Sequence, residues 1–273
     1  MKVTETDGAL LVAGVKCFNP ALTLDCGQAF RWREQADGSF SGVAGGRFLN
    51  IRRDAEGTLV LRGTTREDFD SFWVDYFDLN RDYEAICRRL REDALVAETV
   101  DEYEGIRILR QEPWEALCSF VISQQNNIKR IKLIIDRLCR AYGDDLGDGW
   151  YTFPSAERLA ALTEADFLAI GAGYRAKYLE RLAGDVADGH IDLETIKALP
   201  LNEARQALLK IYGVGVKVAD CALLFGFGFD SAFPQDVWMK RVMAFYPDGL
   251  PPCFDGIEGI AQQYLFHWAR NNL

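Results

Sequence analysis

The segment Leu208-Leu-Lys-Ile-Tyr-Gly-Val-Gly-Val-Lys-Val-Ala-Asp-Cys221 constrains this chain more than any other. Leu208 to Tyr212 reads as the end of one helix, Gly213-Val214-Gly215 as a tight turn, and Val216 to Phe227 as a second helix. Glycine reaches turn conformations that side chains resist, so the unit, at about 202–227, is a helix-hairpin-helix. Amides left free at the start of the second helix can hold a phosphate, which suits DNA gripped by its backbone. Gly213 and Gly215 are therefore candidate DNA-binding positions. Lys217 falls in the first turn of that helix, where the positive dipole end disfavours a second positive charge and favours the neutral amine a nucleophile needs. Nineteen residues on, Asp236 follows Phe233-Pro234-Gln235 and precedes a helical run, Val237 to Phe245. That position predicts an N-cap carboxylate bonded to helix amides. An amine and a fixed carboxylate beside a DNA-holding hairpin point to chemistry on DNA.

Composition sets the limits around that reading. The 273 residues, 49% hydrophobic and 26% charged, suffice for one large domain or two to three small ones with proper cores. No apolar run has membrane-spanning length, and Met1-Lys-Val-Thr-Glu-Thr-Asp7 lacks the apolar stretch of a signal peptide. Seven scattered cysteines without paired spacing fit reduced thiols better than disulfides, zinc or an iron–sulfur cluster. These features, with no basic import run, lead to the expectation of a monomer in a prokaryotic cytoplasm, or in the nucleus if the source is eukaryotic. The net charge of −10 counts against nucleic-acid binding. Its distribution is uneven, however. Ser123 to Arg140 carries Lys129, Arg130, Lys132, Arg137 and Arg140 against Asp136 alone, so one basic face is expected, binding DNA weakly and with strong salt dependence.

Residues 1–80 alternate apolar and polar positions between glycine turns, as in Thr58-Leu-Val-Leu-Arg62, and read as strands and hairpins. From Asp82 onward the apolar spacing becomes helical and strand patterning disappears, with Asp144 to Trp150 read as a polar loop. The expected class is α+β: an N-terminal antiparallel β subdomain, 1–80, packed on a two-part all-helical body, 81–273, with a cleft between its helical parts.

With the hairpin, Lys217 and Asp236 in hand, the chain resembles the 8-oxoguanine DNA glycosylases of the helix-hairpin-helix superfamily. The resemblance spans nearly the whole chain through Cys26-Gly-Gln-Ala-Phe-Arg-Trp32, Tyr76-Phe-Asp-Leu-Asn80, Gly105-Ile-Arg-Ile-Leu-Arg-Gln111, Ser119-Phe-Val-Ile-Ser-Gln-Gln-Asn-Asn-Ile128, Gly173-Tyr-Arg-Ala-Lys177 and Ala261-Gln-Gln-Tyr-Leu-Phe266. It implies a bifunctional DNA glycosylase and AP lyase acting on double-stranded DNA that contains 8-oxoguanine, with Lys217 as nucleophile and Asp236 as assisting carboxylate. The target nucleotide must leave the stack, because its glycosidic carbon is inaccessible within a duplex. No cofactor is required. A structural monovalent or divalent cation can be held in this superfamily by hairpin carbonyls, matched here by Leu209, Ile211 and Val214.

The same resemblance assigns recognition. Oxidation turns N7 of guanine into a donor, so one backbone acceptor can discriminate, and this falls to the carbonyl of Gly27. Gln262, with Gln263 beside it, matches the amide that reads the Watson–Crick edge; Phe266 and Cys221 match the two walls around the flipped base. Tyr174 matches the wedge left in the duplex, and Arg130 and Arg175 match the readers of the orphan cytosine, so cytosine is the expected opposite base. Three positions depart from the pattern: Gln125 stands for asparagine at a DNA-binding position that its longer amide still reaches, Tyr212 for proline, and Trp238 for a phosphate-binding histidine. Two alternatives stay open. A monofunctional glycosylase for alkylated bases keeps an aspartate like Asp236 but uses water and has no need of Lys217; a non-catalytic DNA-binding protein needs the hairpin only.

Overall fold

Leu10 and Val12, and likewise Leu49 and Ile51, are buried on either side of more exposed residues, and this period of two builds one face of a sheet. The computed structural model describes residues 1–273. Its N-terminal part is a six-stranded antiparallel sheet of β1 (Lys2–Thr6), β2 (Ala9–Ala13), β3 (Arg33–Glu34), β4 (Phe40–Ala44), β5 (Arg47–Arg53) and β6 (Leu59–Arg62). Their order is β1-β2-β6-β5-β4-β3. Gly45 and Gly46, at φ +53° and +71°, close the two-residue turn that pairs Ala44 with Arg47.

Residues 66–76 lie inside the segment read as strands, yet they are helical, with one wide π turn over Phe69–Trp73. The cause is visible in the side chains: Phe69, Trp73, Tyr76 and Phe77 repeat at helical spacing and are all buried. They meet Trp32 under the sheet, where the Trp32 indole donates to the Tyr76 hydroxyl at 2.9 Å.

The body comprises α1 (Tyr83–Leu90), α2 (Ala94–Glu102), α3 (Pro113–Ser123), α4 (Ile128–Tyr142), α5 (Ala156–Ala160), α6 (Glu164–Ala169), α7 (Ala176–Ala187), α8 (Leu193–Lys197), α9 (Leu201–Leu209), α10 (Val216–Phe225), α11 (Val237–Val242) and α12 (Glu258–Asn272). It falls into two groups. Helices α3 to α10 pack among themselves, while α12 packs on α2 and α11, so the second group is assembled from both flanks of the first. Both contribute to one core of 50 buried residues; a second cluster of 18 lies beneath the sheet.

The body is not wholly helical. Asp145–Gly147 and Trp150–Tyr151 form a short hairpin, β7 and β8, because Gly147, Asp148 and Gly149 all take positive φ and reverse the chain. Trp150 then reaches back to the sheet, 5.2 Å from the ring of Phe48. The two parts also interlock through residues 105–111. Arg107, 2% exposed, donates to the carbonyls of Lys16 at 2.7 Å and Cys17 at 3.0 Å. Leu109 enters the sheet's core, and Cys17 and Phe30 enter the helical one. Buried Gln28 ties this crossing to the loop before it, donating to the carbonyl of Arg107 at 2.7 Å and accepting from the amide of Leu109 at 2.9 Å.

Candidate active site

The hairpin forms from its glycines. Helix α9 stops at Leu209, short of the expected Tyr212, and Gly213 turns the chain at φ +83° with the Tyr178 ring packed directly against it. Gly215, at φ −96°, is the N-cap of α10 and has no side chain to cap with, leaving first-turn amides without an intramolecular side-chain partner. Across the chain, Asp236 caps α11 as its position predicts: Oδ1 accepts from the amide of Met239 at 2.9 Å.

Lys217 and Asp236 line one open cleft of ≈ 540 Å³ between the two helical groups, together with Gly27, Ser123, Asn127, Trp238 and Phe266. Its inner end narrows to a recess of ≈ 50 Å³ that Lys217 and Asp236 still line, with Gly27, Cys221, Gln262 and Phe266 around them. The Lys217 ammonium donates to the Ser123 hydroxyl at 3.4 Å and sits 5.4 Å from the centre of the Phe120 ring. Ser123 and Phe120 lie in a block already singled out, yet only the fold shows that the end of α3 meets the start of α10.

Two adjacent glutamines divide their tasks. Gln263 donates to the carbonyl of Cys26 at 3.1 Å and so fixes the peptide that precedes Gly27. Gln262 is 5% exposed, and its amide oxygen is buried in the recess without any hydrogen-bond partner. An unpaired buried acceptor costs about 1–3 kcal/mol, which a donor on a bound ligand would recover. Gly27, at φ +89°, lies where an added Cβ would stand 3.5 Å from Ile128 and 3.7 Å from Phe266, so its backbone borders the recess directly. Cys221 forms part of the wall. Burial pushes its thiol up, and nearby Lys217 pulls it back only in part, so the sulfur stays protonated and polarisable at neutral pH.

The remaining residues are spread around the end of α3. Gln125 is exposed at φ +46°, in a turn that presents its own carbonyl and that of Gln124. Arg130 is exposed on the first turn of α4. Tyr174 is 44% exposed, and its hydroxyl donates to the Gln124 carbonyl at 3.2 Å. Arg175 does not join Arg130 at the surface. It is 5% exposed, and its guanidinium turns inward to the carbonyls of Gln124, Gln125 and Ala172, with Nε 2.9 Å from Gln124. Carbonyls released at a helix end attract a cation, and this one braces the loop that carries Tyr174 against the end of α3. The basic stretch is likewise thinner than its composition suggests. Lys132 is held by Asp25 at 2.6 Å and Arg140 by Asp136 at 2.9 Å, which leaves Lys129, Arg130 and Arg137 without an ion pair.

Tyr212 projects from the hairpin, 44% exposed, with its ring 5.2 Å from Tyr178. Of the hairpin carbonyls, that of Ile211 accepts from the amide of Val214 at 3.0 Å and keeps a second lone pair. No group of three or more His, Cys, Asp or Glu side chains converges in a way that could hold a metal ion. No helix is long and apolar enough to cross a membrane.

Residues 10–117 match the N-terminal domain of 8-oxoguanine DNA glycosylase, and residues 118–246 match the HhH-GPD superfamily of base excision DNA repair proteins. An 8-oxoguanine glycosylase/lyase of Clostridium acetobutylicum, solved with double-stranded DNA containing cytosine opposite 8-oxoguanine, superposes with a TM-score of 0.94 at 38% identity, covering 100% of this chain and 98% of that one. An N-glycosylase/DNA lyase of Arabidopsis thaliana is 32% identical over 83% of this chain, and one of Saccharomyces cerevisiae 39% identical over 51%. The chain spans 66% and 41% of the length of those two relatives.

Proposed function

This chain belongs to the 8-oxoguanine DNA glycosylases of the HhH-GPD superfamily, and on that premise we propose that it excises 8-oxoguanine from double-stranded DNA and nicks the abasic strand. One observation carries the reading. An amine from α10 and a carboxylate from α11 share a recess with a buried amide oxygen that has no partner. A site built to hydrogen-bond a ligand group rejects analogues that lack it, because its own polar atom then stays unpaired. Gln262 supplies such an atom for the base edge, while the carbonyl of Gly27 accepts a hydrogen bond from the N7–H that the lesion has and guanine lacks.

In this reading the Lys217 nitrogen lone pair attacks C1′ of the extruded nucleotide, and the glycosidic bond breaks with its electron pair leaving on the base, which takes up a proton. Asp236 faces the sugar and stabilises the positive charge that develops there. Opening of the sugar ring gives a Schiff base between Lys217 and C1′. Loss of a C2′ proton then expels the 3′ phosphate by β-elimination. Cys221 and Phe266 sandwich the base, Tyr174 fills the vacated space, and hairpin amides around Gly213 and Gly215 hold the backbone. Because Arg175 must leave its carbonyls to reach an orphan base, preference for cytosine rests first on exposed Arg130. A cation on the carbonyls of Leu209, Ile211 and Val214 would only stiffen the hairpin; no chemical step depends on it. In this reading the protein acts as a monomer where its DNA resides, in the cytoplasm of a prokaryote or the nucleus of a eukaryote.

Borohydride trapping on a duplex carrying one 8-oxoguanine opposite cytosine tests this. A covalent band with the wild type, absent with Lys217→Gln and on plain guanine, is the expected result. Base release without a band would move the chain to the water-using, alkylbase class. Neither band nor release would leave a DNA-binding protein.

A further inference from the structure

The cleft inverts the charge of the protein around it. In a chain of net charge −10, its lining carries three cations, Lys129, Lys217 and Arg270, against the single carboxylate of Asp236. Lys217 sits within, while the other two come from opposite sides. Lys129 stands in the first turn of α4, where the helix dipole opposes a positive charge and no acidic residue offsets it. Arg270 stands in the last turn of α12 with its guanidinium 5.6 Å from the centre of the Phe266 ring. Both are exposed, and neither makes an ion pair or a side-chain hydrogen bond. Arg270 is thus pre-oriented by the aromatic beneath it rather than by a carboxylate, and its donors remain free. Trp238, also lining the cleft, is capped by Arg241 at 4.9 Å and presents a ring where it could meet a sugar.

We propose that Lys129 and Arg270 form a two-sided phosphate clamp that grips the backbone flanking the extruded nucleotide and holds its C1′ over Lys217. The clamp rests on the excision reading and adds two DNA-binding residues to it. Neither touches the reacting atoms; they position the strand. Because phosphate contacts release counterions, each contributes to the salt dependence of binding.

The test compares Lys129→Ala, Arg270→Ala and Arg270→Lys with the wild type, each folded by thermal melting, on a duplex with an uncleavable tetrahydrofuran abasic site opposite cytosine and on the same duplex undamaged. Affinity is measured by fluorescence anisotropy across a salt series. Each alanine should flatten the slope of log affinity against log salt by about 0.9 on the abasic duplex. Between about 50 and about 200 mM salt, that is a roughly 3-fold smaller loss of affinity than the wild type suffers. Arg270→Lys should restore the slope. Unchanged slopes, or an equal flattening on undamaged duplex, would overturn the clamp. Borohydride trapping of the wild type separates the two failures: a covalent band with unchanged slopes rejects the clamp alone, and no band rejects the excision reading.

Discussion

Gly213→Ala and Gly215→Ala make the same chemical change two residues apart, and the structure assigns them opposite consequences. At Gly213 the backbone sits at φ +83°, a conformation costing an L-residue about 1–2 kcal/mol. The new Cβ would also lie 2.4 Å from the Tyr178 ring, so the ring must shift, at about 1–3 kcal/mol for an overfilled site. Together these destabilise by about 2–5 kcal/mol. At about 2–4 °C per kcal/mol for a chain of this size, Tm should fall by about 4–20 °C. At Gly215, φ is −96° and nothing lies within 4 Å of the added methyl. The poorer N-cap costs a few tenths to about 1 kcal/mol, and the stiffer unfolded chain offsets a similar amount. Tm should therefore move by no more than about 2 °C. The methyl of Gly215→Ala nevertheless projects into the open space over the free amides of α10, where a phosphate would approach. The variant should fold normally and bind duplex DNA at least several-fold more weakly. Calorimetry and anisotropy on the two proteins decide the matter. Equal Tm losses, or Gly215→Ala binding DNA like the wild type, would refute the division of labour between a turn-forming and a phosphate-facing glycine.

Asp236→Asn keeps an N-cap acceptor and should leave Tm nearly unchanged while abolishing base release in single-turnover assays, whereas Asp236→Ala should also lose about 1 kcal/mol of stability in denaturant titration. Gln262→Leu removes the unpartnered buried oxygen, so chemical denaturation should find the variant as stable as the wild type or more so, and excision kinetics should find lesion discrimination lost. A less stable Gln262→Leu would show that the oxygen already has a partner. Asp220 braces α9 to α10 through Arg205 at 2.6 Å, and burial raises its pKa above the ordinary 3.8 despite that pair. The folded state then binds the proton more tightly than the unfolded one, so this group's contribution to stability falls as pH rises from 3.8 through the raised value. Unfolding titrations across acid pH should show that slope in the wild type and not in Asp220→Asn.

What could be read from the chain alone was whatever has a local cause. The hairpin follows from two glycines between apolar helices, and the Asp236 cap from one residue's place before a helical run. Helicity at residues 66–76 was legible too, since Phe69, Trp73 and Phe77 keep helical spacing, but it was masked by the strand patterning on its N-terminal side. The β7–β8 hairpin is harder: residues 144–150, three aspartates and two glycines around Leu146 and Trp150, carry no periodicity, and it forms where Trp150 finds a partner on the sheet. Arg175 was beyond reach for a related reason. Two of its three carbonyl partners, on Gln124 and Gln125, lie some fifty positions away, where Gln125 turns left-handed at the end of α3. Ser123 meets Lys217 through the same long-range packing. Sequence identifies side chains by type; it says little about which backbone oxygens will be waiting for them.

The second helical group draws on residues 83–102 and 237–272, either side of the group that carries the lysine. On a ribosome these two stretches are made far apart in time. Lys217 is made, with its hairpin, before Gln262 and Phe266. Until α12 docks on α2, Lys217 has no Gln262 or Phe266 opposite it and the recess lacks a wall. The recess beside Lys217 is therefore complete only once α12 has taken its place.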